Sequence, residues 1–349
     1  MEKRVCPNGG LELSVLGTGC WAFGGGDYWG EIDQKTVNRI VHASVDNGIN
    51  YFDTAEVYNE GRSEESLGMA MKDISRDKVL IGSKVNPSNC YRDTLKLHCE
   101  ESLKRLQTDY LDLYMIHWPV HSHAMRHFTN DEKIIKNPPS VNEAYESLLE
   151  LRNSGKIRHI GVSNFGTARL SEFPDPGLIA VNQLPYNLLW RGIEFDVVDT
   201  CKANGIGVIG YMALLQGILA DIYPTMDDIP VLYRRTRHFD SRKSTAIRHG
   251  ENGFEEETSQ ALESIRAICK ESGIAMSELA IKWTLANPII NCTLIGTRSV
   301  KKLEKNISAV EDPLSEDVVN ALNLATRPLM EKIGNYLDLW ESAENDRSR

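Results

Sequence analysis

The chain has no run of eighteen or so apolar residues, so no membrane-spanning helix is expected. Its first residues, MEKRVCPNGG, carry no apolar stretch of the kind a secretory leader needs. No Cys-x-x-Cys occurs, and the seven cysteines are scattered and odd in number. That spacing disfavours both a disulfide framework and a zinc ribbon, and predicts reduced thiols in a cytoplasmic protein. A basic excess is missing too. The formal net charge is −10, so no face is expected to neutralise a nucleic-acid backbone. Low-complexity linkers and overt sequence repeats are absent as well.

What is there is a repeated pattern. Eight short runs rich in Val, Ile and Leu recur: SVLGTGCW from Ser14, INYFDT from Ile49, KVLIGSKV from Lys78 and YLDLYMIHW from Tyr110. They continue with IRHIGVSNF from Ile157, LIAVNQLPY from Leu178, IGVIGYMAL from Ile206 and NCTLIGTRS from Asn291. Amphipathic segments separate most of them. DQKTVNRIVHASVDNG places Val37, Ile40, Val41 and Val45 on one helical face and ends at Gly48, a natural C-cap. Strands alternating with helices imply parallel pairing, and eight units imply a closed α/β barrel of the (β/α)8 TIM type. With 349 residues the length alone allows two domains, but barrels reach this size as one. The rival is a doubly wound open sheet. It wants Gly-x-Gly-x-x-Gly after its first strand, and LGTGCWAFGGG lacks that spacing. Ahead of the barrel, KRVCPNGGLELS reads as an N-terminal β-hairpin that would plug its bottom. Behind it, a C-terminal helical tail is expected, with the barrel over 1–325 and the tail over 326–349. Pro328 should break or restart its helix. Leu337, Leu339 and Trp340 give it an apolar edge for the barrel or a second subunit, and the last residues, ESAENDRSR, are expected to be disordered.

Active sites of such barrels lie at the C-terminal ends of the strands. The second strand ends on Asp53, with Tyr58 just beyond; the third on Lys84; the fourth on His117. These four types together suit reduction of a carbonyl. Hydride addition to C=O leaves an alkoxide that needs a proton. Tyr58 would give it, with Lys84 lowering the phenol's pKa, Asp53 anchoring Lys84, and His117 orienting the carbonyl oxygen. Singly, each has a plain explanation: Asp53 as a helix N-cap, Tyr58 as a half-buried aromatic. Their joint placement is what points to chemistry. Trp21, Tyr28, Trp29 and Trp118, and less so Trp190, are placed to line a pocket for a sugar, a cyclitol or a flat carbonyl compound, though core packing accounts for any one of them. His117, His121, His123 and His127 sit close together, but no Cys or Glu nearby completes a metal set, and no metal is expected. His42, His98 and His159 lie in periodic segments and receive no role.

YFDTAEVYNEGRSEESLG, IGSKV and DYLDLYMIHWP resemble the motifs of the aldo-keto reductase superfamily, nearest its bacterial and potassium-channel-β-like branches, over roughly residues 1 to 325. The resemblance implies a nicotinamide cofactor and assigns further residues. Ser163, Asn164 and Gln183 would hold the carboxamide, and Tyr211 would stack on the ring, with Cys20, Trp21, Asp53, Met212 and Leu214 around them. Gly296 would approach phosphate at the start of a helix. Arg298 and Lys302, with Lys301 beside them, would meet a 2′-phosphate, which favours NADP(H) over NAD(H), and Asn306 would contact the adenine. The pattern also departs from the family's. Ala213 stands where a proline is usual, and Asp221 where a lysine is usual. The insertion from Asp221 to Glu257 carries Arg234, Arg235, Arg237, Arg242 and Arg248. These would clasp the dinucleotide, bind an anionic substrate, or simply face solvent. The function implied is an NAD(P)H-dependent oxidoreductase acting on a small-molecule aldehyde, ketone or sugar carbonyl. Two alternatives remain open at this point: a nucleotide-binding regulatory or scaffold barrel with little turnover, and a metal-assisted hydrolase built on the histidine loop.

Overall fold

The computed structural model describes residues 1–349. Strands β1 (Lys3–Val5) and β2 (Glu12–Ser14) form the expected antiparallel hairpin. Gly9 and Gly10 both take positive φ in its turn, which a side chain would resist. Eight parallel strands follow: β3 (Leu16–Gly19), β4 (Tyr51–Asp53), β5 (Leu80–Val85), β6 (Leu111–Ile116), β7 (Ile157–Ser163), β8 (Ile179–Pro185), β9 (Gly207–Tyr211) and β10 (Ile290–Gly296). They close in sequence order, with β10 pairing with both β9 and β3. Each of the eight apolar runs became one barrel strand. No helix is long and apolar enough to cross a membrane.

Alternation along the strands sorts side chains into two cores. Outward residues such as Phe52, Ile81, Tyr114, Ile116, Ile160 and Val162 are buried against the helices. The helix Gln34–Asp46 presents the predicted Val37, Ile40 and Val41 there. Inward residues Tyr51, Leu113, Met115, Val181, Ile209, Cys292 and Leu294 fill the barrel's lower half, where Cys6, Leu11 and Leu13 of the hairpin join them. The hairpin is therefore a bottom plug. Gly82 is required by this packing: a Cβ there would lie 2.1 Å from the Tyr51 hydroxyl. All seven cysteines are free.

The C-terminal segment differs from expectation in three ways. The helix Glu316–Ile333 runs through Pro328 without a break. Pro328 is exposed, so the backbone bond it forgoes faces solvent, while Leu322, Thr326, Leu329 and Ile333 hold the other face. This single helix also crosses residue 325. Finally, the last residues are not disordered. Asp338, Leu339, Asp346, Arg347 and Ser348 are buried, because the segment after Gly334 folds back over the barrel mouth.

Candidate active site

Strand register does the first part of the positioning. Asp53 and Lys84 both end up as inward residues at the top of adjacent strands, and His117 follows directly after β6. The Lys84 ammonium, wholly buried, lies 2.8 Å from Asp53 Oδ2 and donates to the carbonyl of Thr54 at 2.7 Å. Its third contact is the Tyr58 hydroxyl at 3.3 Å. Gln183 donates to the other Asp53 oxygen at 2.7 Å. The Tyr58 and His117 rings meet edge to face, 5.6 Å between centroids. Asp53 caps no helix; its oxygens are taken up by Lys84, Gln183 and Tyr51.

Burial dominates the electrostatics. It pushes the Tyr58 phenol well above its ordinary pKa, and the Asp53 charge adds to this. The direction is upward although the Lys84 ammonium lies 3.3 Å from the hydroxyl, because burial of the phenolate dominates. Lys84 is itself lowered by burial, against the opposing pull of Asp53. His117 is held well below the usual histidine range by burial, then by Lys84 and Arg347, so its imidazole is neutral at ordinary pH. His117 Nδ1 is buried with no hydrogen-bond partner.

Above these groups opens a cavity of about 650 Å³ that runs from His117 to the helix Val300–Ser308. It is lined by Trp21, Trp29, Asp53, Tyr58, His117, Trp118, Ser163, Asn164, Gln183, Tyr211, Met212, Leu214, Gly296, Arg298, Lys302 and Asn306, all singled out from the sequence. The carboxamide candidates are already ordered. Asn164, at a positive φ of 65°, donates to the His117 carbonyl at 3.1 Å and accepts from the Tyr211 hydroxyl at 2.6 Å. Its amide also donates to Ser163 Oγ at 3.0 Å, so what it keeps for a ligand is a second acceptor site on Oδ1. At the far end Lys302 and Lys305 are exposed and make no ion pair, while the Arg298 guanidinium donates to the carbonyls of Trp29 and Glu31. This elongated shape, amide-lined at one end and cationic at the other, fits a nicotinamide dinucleotide.

Other calls fall outside the cavity wall. Cys20 is fully buried behind it and donates its backbone N–H to Asp53. Tyr28 stacks on Trp21 at 5.3 Å and takes a 2.6 Å hydrogen bond from Gln216, so it supports the wall from behind. Trp190 is buried under the tail, donating to the Leu337 carbonyl. Arg237 is a correction. It is only 3% exposed, pairs with Glu251 at 2.8 Å and lies under Tyr336, so it cannot contact a cofactor. The clasp fails for most of its neighbours too, since Arg234 binds the Ile229 carbonyl, Arg242 pairs with Asp240 and Arg248 with Glu341. Asp221 is spent on Arg266 at 2.8 Å.

Sequence reasoning missed Gln216, Tyr233, Lys305 and Trp340, which also line the cavity. Lys305 was legible, lying one helical turn from Lys302. Trp340 was not, because only the folded tail brings it there. Arg347 sits 3.8 Å over the Trp118 ring and is paired with Asp338 at 2.5 Å, both buried. His121 and His123 hydrogen-bond the carbonyls of Arg347 and Asn345. The histidine loop thus serves to fasten the tail.

Comparison with known proteins agrees with this geometry. Residues 15–326 match the model of the Aldo/keto reductase family. The aldo-keto reductase YhdN of Bacillus subtilis is 31% identical over 313 residues, covering 87% of each chain. An NADH-specific methylglyoxal reductase of Escherichia coli is 28% identical, covering 90% of this chain and 95% of its own. Among solved structures, an aldo/keto reductase of Klebsiella pneumoniae in complex with NADP and acetate superimposes with a TM-score of 0.69 at 26% identity, over 97% of this chain and all of the other. A glycerol dehydrogenase of Gluconobacter oxydans gives 0.72 at 25% identity, over 94% and 95%.

Proposed function

The chain belongs to the aldo/keto reductase family and is an oxidoreductase that interconverts carbonyl and alcohol, and from that premise we propose that Tyr58 exchanges the proton and that NADP(H) is the preferred cofactor. The observation that carries the reading is the buried line from Asp53 through Lys84 to Tyr58, opening on the cavity beside His117.

Ser163, Asn164, Gln183 and Tyr211 would hold the nicotinamide end of the cofactor, and Arg298, Lys302 and Asn306 the adenosine end. When bound, the cofactor supplies or accepts the hydride. The residues of the chain manage charge and protons. His117, neutral, offers a hydrogen bond that places the carbonyl oxygen against Tyr58. Tyr58 stays protonated until an alkoxide develops, then gives its proton to that oxygen. The phenolate left behind faces the Lys84 ammonium at 3.3 Å, which Asp53 keeps in place. In alcohol oxidation the same proton returns to Tyr58. A pKa far above neutrality suits the acid role, since a substrate alkoxide is more basic still.

Two exposed, unpaired cations near the adenosine end, Lys302 and Lys305, support a 2′-phosphate. One relative is NADH-specific, so family membership alone does not decide the matter. For substrate, the aromatic walls of Trp21, Trp29, Trp118 and Trp340 suit a sugar, cyclitol or other small carbonyl compound. The deciding experiment is to follow protein fluorescence while NADPH and NADH are added separately, then to assay Tyr58→Phe on a carbonyl panel. Tight NADPH binding, weak NADH binding, and a 10²- to 10⁴-fold loss of kcat with cofactor affinity kept are expected. Near-normal turnover by Tyr58→Phe would overturn the assignment.

A further inference from the structure

Glu56 lies between Asp53 and Tyr58 in the chain, yet its side chain points away from the cavity and is buried to 5% exposure. A carboxylate in that setting must be matched by donors. Three are present. Oε1 accepts the backbone N–H of Asn86 at 2.7 Å and the side-chain amide of Asn89 at 2.9 Å. Oε2 faces His98 Nδ1 at 2.7 Å. Asn86 and Asn89 belong to the loop that follows Lys84, and His98 to the helix Arg92–Leu106 behind it. Glu56 also donates its own backbone N–H to the Lys84 carbonyl at 3.3 Å.

These contacts tie two loops that the reaction must keep in register. One carries Tyr58, the other continues from Lys84. The second loop also reaches His117, whose backbone N–H donates to the Val85 carbonyl at 2.9 Å. The Tyr58 loop needs such a tie. Asn59, Glu60 and Gly61 follow Tyr58 with φ of 51°, 59° and 87°, three left-handed residues in a row. Non-glycine residues hold that conformation only when their surroundings fix it. On one flank Asn59 does so, donating to the carbonyls of Trp21 and Phe23 at 2.7 and 2.8 Å. On the other flank Glu56, two residues before Tyr58, is bound to Asn86 and Asn89.

We propose that Glu56, braced by His98, is a positioning residue for the proton donor: it sets the distance between the Tyr58 hydroxyl and the Lys84 ammonium. It touches neither substrate nor cofactor. His98 thereby gains a role its periodic setting in the sequence hid. The groups facing His98 are Glu56 at 2.7 Å, Glu101 at 3.9 Å on its own helix, the Asn89 amide at 3.3 Å, and Arg105 two turns further along that helix.

The inference rests on the proposed role of Tyr58, so the controls come first. The unmodified protein must reduce at least one carbonyl of the panel with NADPH, and Tyr58→Phe must lose at least a hundred-fold in kcat on it; failure of either overturns the catalytic reading, independently of Glu56. Given both, Glu56→Ala is expected to lower kcat at least ten-fold while the substrate KM and the NADPH Kd stay within two-fold. Glu56→Gln, which keeps an acceptor for the Asn86 N–H, should recover most of the loss. His98→Ala should lower kcat three- to ten-fold alone and add little to Glu56→Ala. Unchanged kcat in folded, NADPH-binding Glu56→Ala overturns the proposal, as does an equal loss of cofactor affinity, which would mean collapse of the site. If Glu56→Ala does not fold, His98→Ala decides, and full activity there overturns it.

Discussion

Lys84 and Asp53 form an ion pair at 2.8 Å with side-chain exposures of 0% and 4%. Water cannot share in solvating either charge, so each depends on the other and on the amide and carbonyl groups around them. Replacing Lys84 by Met leaves Asp53 buried without its cation. The expected cost is about 3–5 kcal/mol of stability, the usual result of breaking a buried pair from one side. Activity should fall with it by orders of magnitude, because the phenolate loses its counter-charge. Urea denaturation alongside single-turnover rates separates the two effects. A Lys84→Met variant as stable and as active as the parent would contradict the arrangement.

Cofactor preference is expected to reside at the adenosine end. Lys302→Ala removes an exposed, unpaired cation and should weaken NADPH about ten-fold, roughly 1.4 kcal/mol, while leaving NADH alone. Arg298→Ala should do more, since its guanidinium also holds the carbonyls of Trp29 and Glu31 and so steadies the aromatic wall. Titrations with both nucleotides, at two salt concentrations, check this. Parallel losses for NADPH and NADH would remove the 2′-phosphate from the argument.

Mild acid should loosen the tail before it unfolds the barrel. Burial depresses His121 to about 4 and His127 to about 3. Both are neutral when folded, while the unfolded chain takes up protons near 6.5. Folded pKa values below the unfolded one mean stability is full above pH 6.5 and declines as pH falls toward 4. Hydrogen exchange at 335–349, compared at pH 7 and pH 5, is expected to show faster opening at pH 5 with barrel strands unchanged.

Removing the segment after Gly334 tests the wall it builds. Trp118 and Trp190 would lose Arg347 and the Leu337 carbonyl as neighbours, so intrinsic fluorescence should shift to the red. Substrate KM should rise several-fold, because Trp340 leaves the cavity, whereas NADPH affinity should hold, its contacts lying elsewhere. Unaltered KM across several carbonyls would show that the tail shapes no part of the substrate site.

Much of this was legible in the sequence because parity along a strand is local information. Once YFD, IGSKV and MIHW are taken as strand ends, Asp53, Lys84 and His117 must face one mouth. The tail escaped because its order comes from distant partners. ESAENDRSR is polar but for Ala343, and nothing in it reveals that Asp338 and Arg347 will satisfy each other over Trp118. The arginines of the insertion misled for the same reason. Arg237 reads as a free cation in the sequence, and only the fold supplies Glu251. The Tyr58 pKa failed differently. Lys84 was seen beside the phenol, but the depth of burial that raises its pKa was not.

The Gly166 N–H donates to the Ser348 carbonyl, and Arg347 lies beneath Trp118 at the rim of the cavity. The wall of the mouth therefore depends on a contact across 226 residues of sequence, from His121 to Arg347, whereas Asp53, Tyr58 and Lys84 come from one short stretch, so the acid is set locally and the entrance is not.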